Sequence, residues 1–586
     1  MKLIEKLEIM AKQLRKDVLI ITSVAGSGHL TSCLSSVELM SCIFFDAMQK
    51  DDEFILSKGH AAPLLYSTYA ESGFIKRKEL LTLRKLDSPL EGHPTPNFPF
   101  VKVSTGSLGQ GLSAGVGIAI AQKKEKKGKT YVLLGDGECA EGSIWEAANL
   151  ATMNQLNNLI AIVDINGLGQ SQETMHNHNV SAYERKFKAF GWHTQSIDGH
   201  SIKEILRALH YAKESSKPFA ILAKTLKGKG ISRLEGKLGW HGKVLSKEEC
   251  ATSLIELGEF PEIKLKSKII PKKTKFVKIE AKPISFEKPI STREAFGKAL
   301  VSLGKNKKVI VIDGDVQNST MTQEFSKAYP RRFIQGYIAE QNMVGMALGL
   351  STKGYTPIVS TFAAFLTRAH DQIRMASYSR ANIKFIGSHA GISIGDDGPS
   401  QMGLEDISMF LSTSQAIIVY PSDALSAQYL LKEIMNYQGI SYLRTTREAT
   451  PLLYREKDKF PLGHFKVLRK SEHDKVLVIG SGITVHESLK AYELLRQKNI
   501  HIRVIDLYSI RPLDVNALMK QAEECHHKVI VVEDHFFNGI GSVISSVLGK
   551  VKHLYVKEIP RSGKPEELRS KYGIDATAIV KAVEKF

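Results

Sequence analysis

The chain has 586 residues, of which 43% are apolar and 24% charged, and its formal net charge is +19. That length allows about three or four domains, and the ordinary composition excludes a disordered chain. No apolar run approaches the ~20 residues of a membrane span, so no membrane partner is expected. The amino end mixes Lys with Glu at helical spacing, which favours a first helix over a signal peptide. Five scattered cysteines without a CxxC pair favour a reducing cytoplasm over a disulfide framework or a zinc site.

The positive charge is spread over short lysine clusters, at 122–129, 224–230 and 264–278. It is compatible with a nucleic-acid partner, a polyanion-rich cytoplasm or the attraction of small phosphorylated substrates. Short lysine clusters are most often solvated loops or linkers, and no nucleic-acid-binding motif occurs in the chain. We therefore expect no nucleic-acid partner.

Apolar strands and glycine-punctuated helices alternate from Asp17 to Thr225. A Lys- and Pro-rich segment at 261–290 is predicted to be a linker. Further strands are predicted at 307–316, 355–362, 382–390, 415–423 and 528–535. A strand, a Gly turn, an amphipathic helix and a strand at 475–514 predict a right-handed βαβ unit. The fold class predicted is α/β, in three domains with mostly parallel sheets, at 1–260, 291–457 and 458–586.

Two polar residues end neighbouring predicted strands. Asp136 lies between Gly135 and Gly137 after the run YVLL, and Asn166 follows the run LIAIVDI. Because the strands of a βαβ unit end at the same edge of a parallel sheet, both side chains are expected in one crevice. A carboxylate and an amide oxygen suit Mg²⁺ or Ca²⁺, with phosphate oxygens completing the shell. Taken alone, Asp136 as a helix cap and Asn166 as a turn residue remain alternatives.

The thiamine-diphosphate motif consists of GDG and, after a helix and a strand, an Asn. The chain has this motif, and it resembles the transketolase family from end to end. The matching motifs, which are closest to compact transketolases of animal type, include SGH (27–29), LSKGHAAP (56–63), EGHPTP (91–96), TGSLGQG (105–111), DINGLGQ (164–170), AKTLKGKG (223–230), WHGK (240–243), YIAEQNMVGMALG (337–349), GSHAGISIGDDGPSQM (387–402) and LRTTRE (443–448). The resemblance implies a cytoplasmic homodimer that uses thiamine diphosphate and Mg²⁺ or Ca²⁺ in the pentose phosphate pathway. Such an enzyme transfers a two-carbon ketol group from xylulose 5-phosphate to ribose 5-phosphate or erythrose 4-phosphate, through a dihydroxyethyl adduct of the cofactor.

The resemblance also implies roles for individual residues, in a diphosphate-binding domain (1–260), a pyrimidine-binding domain (291–457) and a C-terminal domain (458–586). The metal would be held by Asp136, Asn166 and the backbone oxygen of Leu168. The cofactor would be lined by Ser32, His60, Gly106, Ser107, Leu108, Gly137, Asn166, Lys224 and His241 from the first domain, and by Asp315, Glu340, Phe362, Phe365 and Gln401 from the second. Without the surrounding motifs, the two phenylalanines would read as ordinary core.

Glu340 is the first residue expected to be catalytic. Thiamine chemistry needs a carboxyl group bonded to the pyrimidine ring nitrogen, which favours the imino tautomer that removes the thiazolium proton. The residue also reads as a helix-start carboxylate, and both interpretations can hold together. Four histidines, His29, His60, His93 and His241, are expected to transfer protons and to bind sugar hydroxyls around the reacting carbons.

The substrate is expected to be a polyhydroxylated phosphate ester. Residues at positions that bind the sugar phosphate are Arg293, Ser319, His389 and Arg447, and the remaining predicted substrate-binding residues are His29, His241 and Asp397. Arginine forks suit phosphate oxygens, and a buried carboxylate such as Asp397 discriminates in favour of a hydroxyl.

In this family the cofactor lies between two subunits, so Glu340 and the GDG pair are expected to come from different chains. Glu141 and Glu146 are candidates for a carboxylate network across that interface. The alternatives are a decarboxylating enzyme like 1-deoxyxylulose-5-phosphate synthase, a catalytically silent relative and a basic RNA-binding protein on the same fold. The motifs WHGK and GPSQM disfavour the first, and intact Glu340, Asp136 and Asn166 disfavour the second.

Overall fold

The structure is a computed structural model that describes residues 1–270 and 274–586. It divides into unit 1, formed by Met1–Thr274 and Val344–Lys353, and unit 2, formed by Lys275–Met343 and Gly354–Phe586. Between Glu256 and Ile290 the described residues form no helix or strand, and 271–273 of the predicted linker lie outside them. No helix among the described residues is both long and apolar enough to cross a bilayer.

Unit 1 is built on one parallel five-stranded sheet with the order β1-β2-β3-β5-β4. Its strands are β1 (Glu53–Leu56), β2 (Thr130–Gly135), β3 (Leu159–Ile165), β4 (His193–Asp198) and β5 (Phe219–Lys224). Its helices are α1 (Leu3–Ala25), α2 (Leu30–Leu34), α3 (Val37–Cys42), α4 (Ala62–Glu71), α5 (Gly111–Glu125), α6 (Gly142–Met153), α7 (Val180–Ala189), α8 (Ile202–Glu214) and α9 (Lys247–Glu256).

The register of β2 and β3 decides where the functional side chains lie. Both strands are buried along their whole length, as expected for a parallel sheet covered on both faces. Gly135 of β2 pairs with Asp164 of β3, so Asp136 and Asn166 follow adjacent strand ends at one edge of the sheet. The crevice predicted from the βαβ pattern is therefore present.

Unit 2 contains a seven-stranded sheet with the order β17-β11-β12-β10-β9-β7-β8, a five-stranded sheet with the order β14-β16-β15-β18-β19, and the antiparallel pair β6–β13. Its strands are β6 (Ile290–Ser291), β7 (Val309–Asp313), β8 (Phe333–Gln335), β9 (Thr356–Phe362), β10 (Lys384–Ser388), β11 (Ile417–Val419), β12 (Ser441–Arg444), β13 (Ala449–Thr450), β14 (Lys466–Arg469), β15 (Val476–Gly480), β16 (Ile502–Asp506), β17 (Ser509–Arg511), β18 (Val529–Val532) and β19 (Lys552–Leu554).

The helices of unit 2 are α10 (Thr292–Leu303), α11 (Gln317–Thr320), α12 (Gln323–Ala328), the start of α13 (Glu340–Thr352), α14 (His370–Tyr378), α15 (Asp406–Ser412), α16 (Ala424–Asn436), α17 (Ile483–Arg496), α18 (Val515–Glu523), α19 (Ile540–Leu548), α20 (Pro565–Tyr572) and α21 (Ala576–Val583). In the βαβ unit predicted at 475–514, β15 and β16 are parallel neighbours joined by α17. Most ladders of both larger sheets are parallel, which confirms the predicted fold class.

One strand from the carboxyl-terminal part of the chain completes the seven-stranded sheet. Strand β17 pairs antiparallel with β11, with Ile418 opposite Arg511. The Arg511 guanidinium then donates hydrogen bonds of 2.5–2.8 Å to the backbone oxygens of Phe410, Leu411, Thr413 and Ala416. The carboxyl-terminal part of the chain is therefore joined to the seven-stranded sheet through backbone pairing as well as through side chains.

Candidate active site

The carboxyl edge of the unit 1 sheet gathers the three predicted metal ligands. Asp136 accepts hydrogen bonds from the backbone N–H of Gly167 at 2.8 Å and from the Thr174 hydroxyl at 3.0 Å. Asn166 Oδ1 accepts the N–H of Leu168 at 3.2 Å. Burial and the nearby Asp164 charge raise the pKa of Asp136 to about 6. A carboxylate in such a place is stabilised when a cation lies beside it.

Lys227 is the lysine that reaches this loop. Its ammonium donates to the backbone oxygens of Leu168 at 2.7 Å and Gly169 at 2.9 Å, and lies 2.8 Å from His241 Nδ1. Burial and the charge of Lys58 lower its pKa to about 8. Lys224, the lysine predicted to line the cofactor, is the exposed last residue of β5. Since the strand ends at Lys224, only the later lysine lies in the loop that turns back over the sheet edge.

A buried ion pair connects the loops at the carboxyl edge of the unit 1 sheet. The Lys58 ammonium pairs with the Asp164 carboxylate, and the two side chains are 1% and 0% exposed. Lys58 also donates to the backbone oxygen of Ser32 at 2.9 Å, while Asp164 accepts hydrogen bonds from the hydroxyls of Ser35 at 2.6 Å and Thr225. The pair thus connects the LSKGH loop, helix α2, the end of β3 and the Lys227 loop.

A second buried carboxylate, Glu138, connects the loops that carry GDG and TGSLGQG. It accepts the N–H groups of Gly109 at 2.9 Å and Gly135 at 3.1 Å, and the hydroxyl of Ser57. In the same loop Gly106 has φ +127°, and a Cβ atom there would lie 2.8 Å from the His93 ring. A side chain at this position would therefore displace a predicted catalytic histidine.

The other predicted residues of these two loops vary in exposure. Ser107 is half-buried, Leu108 is 36% exposed and Gly137 is exposed. Of the two acidic residues predicted for an interface, Glu141 is exposed and Glu146 is half-buried. No signal of spacing or periodicity in the sequence identifies Glu138 or Lys58 as loop-connecting residues, because their partners come from distant parts of the chain.

The four predicted catalytic histidines meet in one cluster, which we call the histidine cluster. The ring centroid of His29 lies 5.4 Å from that of His60, 5.7 Å from His93 and 5.1 Å from His241, and His60 lies 5.1 Å from His241. Burial is the main cause that lowers the pKa of His29 to about 4 and that of His241 to about 3, and it lowers those of His60 and His93 as well. All four rings are therefore uncharged at neutral pH. Within the described residues His29 Nδ1 is buried and has no hydrogen-bond partner.

In unit 2 the predicted aromatic residues form a stack. The rings of Phe362 and Phe365 lie 5.1 Å apart at an interplanar angle of 4°, and the His389 ring lies 3.8 Å from Phe362 at 10°. Glu340 begins α13 and is 5% exposed, so the helix-start interpretation holds. Its Oε2 atom is buried without a hydrogen-bond partner in the described part of the chain, so this carboxyl group also has an unused bonding position.

The predicted phosphate-binding residues, together with Asp397, form two hydrogen-bonded sets, which we call the arginine group. Its members are Arg293, Ser319, His389, Asp397 and Arg447. Arg293 Nη1 donates to the Ser319 backbone oxygen at 3.0 Å and lies 3.3 Å from His389 Nε2. Arg447 Nη1 donates to Asp397 at 2.9 Å, and both of these side chains are exposed, so the expectation of a buried Asp397 carboxylate is wrong for this structure. Burial and the charges of Arg293 and Arg447 lower the pKa of His389 to about 3.

Two predicted cofactor residues each make one side-chain to side-chain hydrogen bond among the residues that the structure describes. Asp315 is exposed and accepts from Gln335 at 3.3 Å, and Gln401 is half-buried and donates to Ser400 at 3.4 Å. Their predicted roles rest on the motif resemblance.

Three domain models of one family match the chain in order. They are "Transketolase, thiamine diphosphate binding domain" at residues 8–278, "Transketolase, pyrimidine binding domain" at 288–451 and "Transketolase, C-terminal domain" at 465–579. Human transketolase is 44% identical over 609 aligned residues, which cover 99% of this chain and 97% of that protein. Mouse transketolase-like protein 2 is 44% identical over 611 aligned residues with the same coverage.

Solved transketolase structures share the fold. The enzyme from Campylobacter jejuni superposes with a TM-score of 0.89 at 25% identity, over 100% of both chains. The enzyme from Leishmania mexicana gives 0.85 at 21% identity, over 100% of this chain and 97% of that one. The family resemblance inferred from the motifs is confirmed: the chain belongs to the transketolase family and is a ketol-transferring enzyme that binds thiamine diphosphate.

Proposed function

We propose that this chain moves a two-carbon ketol unit from a ketose phosphate, such as xylulose 5-phosphate, to an aldose phosphate, such as ribose 5-phosphate or erythrose 4-phosphate, in the cytoplasm and the pentose phosphate pathway. The observation that carries the proposal is the histidine cluster, four uncharged imidazoles on one unit. A neutral imidazole offers one N–H donor and one acceptor nitrogen. The cluster can therefore bind sugar hydroxyls and accept the hydroxyl proton that a ketose loses when its C2–C3 bond breaks.

When bound, thiamine diphosphate supplies the electron sink for breaking and making the carbon–carbon bond. The residues that would hold it are Ser32, His60, Gly106, Ser107, Leu108, Gly137, Asn166, Lys227 and His241 of the diphosphate-binding domain, and Asp315, Glu340, Phe362, Phe365 and Gln401 of the pyrimidine-binding domain. In this proposal Lys227 takes the place of the predicted Lys224, because its ammonium reaches the Leu168 oxygen and His241. Glu340 is suited to its proposed role because its Oε2 atom, which has no hydrogen-bond partner among the described residues, can form a hydrogen bond with a nitrogen of the pyrimidine ring. The stacked Phe362 and Phe365 offer flat apolar surface for the same ring.

The metal in this proposal is Mg²⁺ or Ca²⁺. The donor set of Asp136, Asn166 and the Leu168 carbonyl consists only of oxygen atoms, which these hard cations prefer. The raised pKa of Asp136 fits the same role, because a cation beside a buried carboxylate favours its charged form. The Lys227 ammonium already donates a hydrogen bond to the Leu168 oxygen. In the proposed site its positive charge would lie close to both that carbonyl and the diphosphate.

The arginine group is proposed to bind the sugar phosphate. Two guanidinium groups, from Arg293 and Arg447, offer forked N–H donors for phosphate oxygens, and the neutral His389 lies beside one of them. Asp397 would accept a sugar hydroxyl while remaining paired with Arg447.

We further propose a homodimer in which each site takes its diphosphate-binding domain from one subunit and its pyrimidine-binding domain from the other. Mixing two inactive variants tests this arrangement. Asp136→Asn and Glu340→Gln subunits, unfolded together and refolded, would form mixed dimers with one intact site, and about a quarter of wild-type activity is expected. Either variant refolded alone is the control. Absence of activity in a mixture that contains mixed dimers would contradict a shared site.

The function itself is tested by a coupled ketol-transfer assay. After cofactor removal, activity with xylulose 5-phosphate and ribose 5-phosphate should return only when thiamine diphosphate is added with Mg²⁺ or Ca²⁺. Failure to recover transfer with any phosphosugar pair would refute the proposal. Release of carbon dioxide from pyruvate and glyceraldehyde 3-phosphate would instead favour the decarboxylating alternative.

A further inference from the structure

Arg84 bridges two of the loops that carry the histidine cluster. Its Nη1 atom donates a 2.6 Å hydrogen bond to the Ser27 hydroxyl, two residues before His29. Its guanidinium also packs against Gly92, the residue before His93, where a Cβ atom would lie 3.1 Å from Cζ, Nε and Nη2. One side chain therefore touches the SGH loop and the EGH loop at once.

The backbone of Arg84 is held in an unfavourable conformation. Its φ is +60°, in the left-handed region that residues other than glycine rarely adopt. The backbone N–H donates a 2.8 Å hydrogen bond to the Leu90 oxygen, which closes the turn between Arg84 and the EGH loop. Backbone strain of this kind persists where the surrounding structure demands a particular side-chain position, and such residues concentrate at functional sites.

The Arg84 guanidinium has unused bonding capacity within the described residues. No carboxylate forms an ion pair with its guanidinium there, and its Nε atom is buried without a hydrogen-bond partner. A partly buried cation without an ion-pair partner keeps its charge available to act on neighbouring titratable groups, in addition to bridging the two loops. Its positive charge contributes, after burial, to lowering the pKa values of His29 and His93.

We infer that Arg84 is a positioning residue for ketol transfer, which holds the His29 and His93 loops together and keeps both imidazoles in their uncharged, proton-accepting form. In the described part of the chain, Arg84 is the only cation that acts on His93. His29 also faces His93 and Lys227, and its ring lies beside those of His60 and His241. Replacement of Arg84 should therefore change the protonation of His93 more than that of His29. The inference rests on the proposed function, since it assigns the two rings a part in proton transfer.

Two substitutions separate charge from bridging. Arg84→Gln removes the charge and keeps a donor for Ser27, whereas Arg84→Lys keeps the charge and loses the planar fork. In Arg84→Gln the acid limb of the kcat/KM profile should move to higher pH by about one unit, a tenfold gain in proton affinity. Arg84→Lys should keep the wild-type profile and lose kcat about tenfold, because the loops are no longer held in place. Ser27→Ala is the matched control, which removes the bond to Nη1 and leaves the charge, and its profile should not move.

A measurement without turnover keeps this inference separate from the proposed function. The holoenzyme, labelled at the Cε1 atoms of histidine, is titrated by NMR, with His93→Asn used to assign the His93 signal. The His93 pKa should rise in Arg84→Gln and stay in place in Arg84→Lys. Unchanged ring pKa values and superimposable pH profiles in Arg84→Gln would overturn the inference. A wild-type enzyme without ketol transfer would overturn the proposed function, while the titration would still report on the charge of Arg84.

Discussion

Removal of the Lys58 ammonium should destabilise unit 1 strongly. In Lys58→Met the carboxylate of Asp164 stays buried, and among the described residues the donors left to it are the hydroxyls of Ser35 and Thr225 and the amide of Asn166. An uncompensated buried charge costs about 3–5 kcal/mol. For a domain of this size a loss of 1 kcal/mol lowers the melting temperature by about 2 °C, so a fall of about 6–10 °C is expected.

The assay is calorimetry of the cofactor-free enzyme, because ligand binding would otherwise shift the transition by mass action. Lys224→Met, at an exposed lysine of the same unit, is the matched control and should change the melting temperature by about 1 °C or less. The double variant Lys58→Met/Asp164→Asn should recover part of the loss, since it also removes the charge left behind. A Lys58→Met transition within about 2 °C of wild type, or a double variant that loses the sum of both single changes, would refute the reasoning.

Three further predictions concern the same edge of the sheet. Glu138→Gln replaces one acceptor oxygen by a donor, so one of the N–H or O–H groups that bond to Glu138 loses its hydrogen bond. The apparent affinity for thiamine diphosphate should therefore fall about tenfold in a cofactor titration. An unchanged affinity would contradict the role of Glu138 in connecting the two loops. Lys227→Met should lower kcat/KM by about a hundredfold, whereas Lys224→Met should leave it within about twofold. Equal losses in the two variants would contradict the assignment of Lys227, rather than Lys224, to the cofactor site. His29 and His241 have folded pKa values of about 4 and 3, so below pH 7 these two rings take up protons in the unfolded chain and remain uncharged in the folded one. They should therefore lower the melting temperature between pH 7 and pH 5, and the fall should be smaller in His29→Asn than in wild type. Because buried carboxyl groups such as Asp136 act in the opposite direction, the comparison with His29→Asn decides the outcome, and a fall in wild type no larger than that in His29→Asn would contradict an uncharged His29 ring in the native enzyme.

The parts of the site that follow from local rules are predictable from the sequence. Asp136 and Asn166 end two strands of one βαβ unit, and parallel pairing alone requires that they share an edge. The four histidines lie in recognisable motifs, and the structure brings their rings together.

The parts that depend on long side chains crossing between loops are not predictable in this way. The choice between Lys224 and Lys227 depends on where β5 ends, and strand ends are the least certain feature of a sequence pattern. Glu138, Lys58 and Arg84 act on partners far away in the chain, and no periodicity marks such contacts. The individual roles proposed for Glu340, Asp315 and Gln401 remain predictions, because they concern contacts with bound cofactor.

The pairing of β17 with β11 bears on how proteins of this architecture can be shortened or recombined. A chain cut after residue 508 would leave β11 as an open edge, with unpaired backbone groups ready to pair with another molecule. The same cut would deprive four backbone oxygens of the guanidinium donors that Arg511 supplies. The carboxyl-terminal region therefore cannot behave as a detachable module, and variants that lose it should aggregate rather than persist as smaller enzymes.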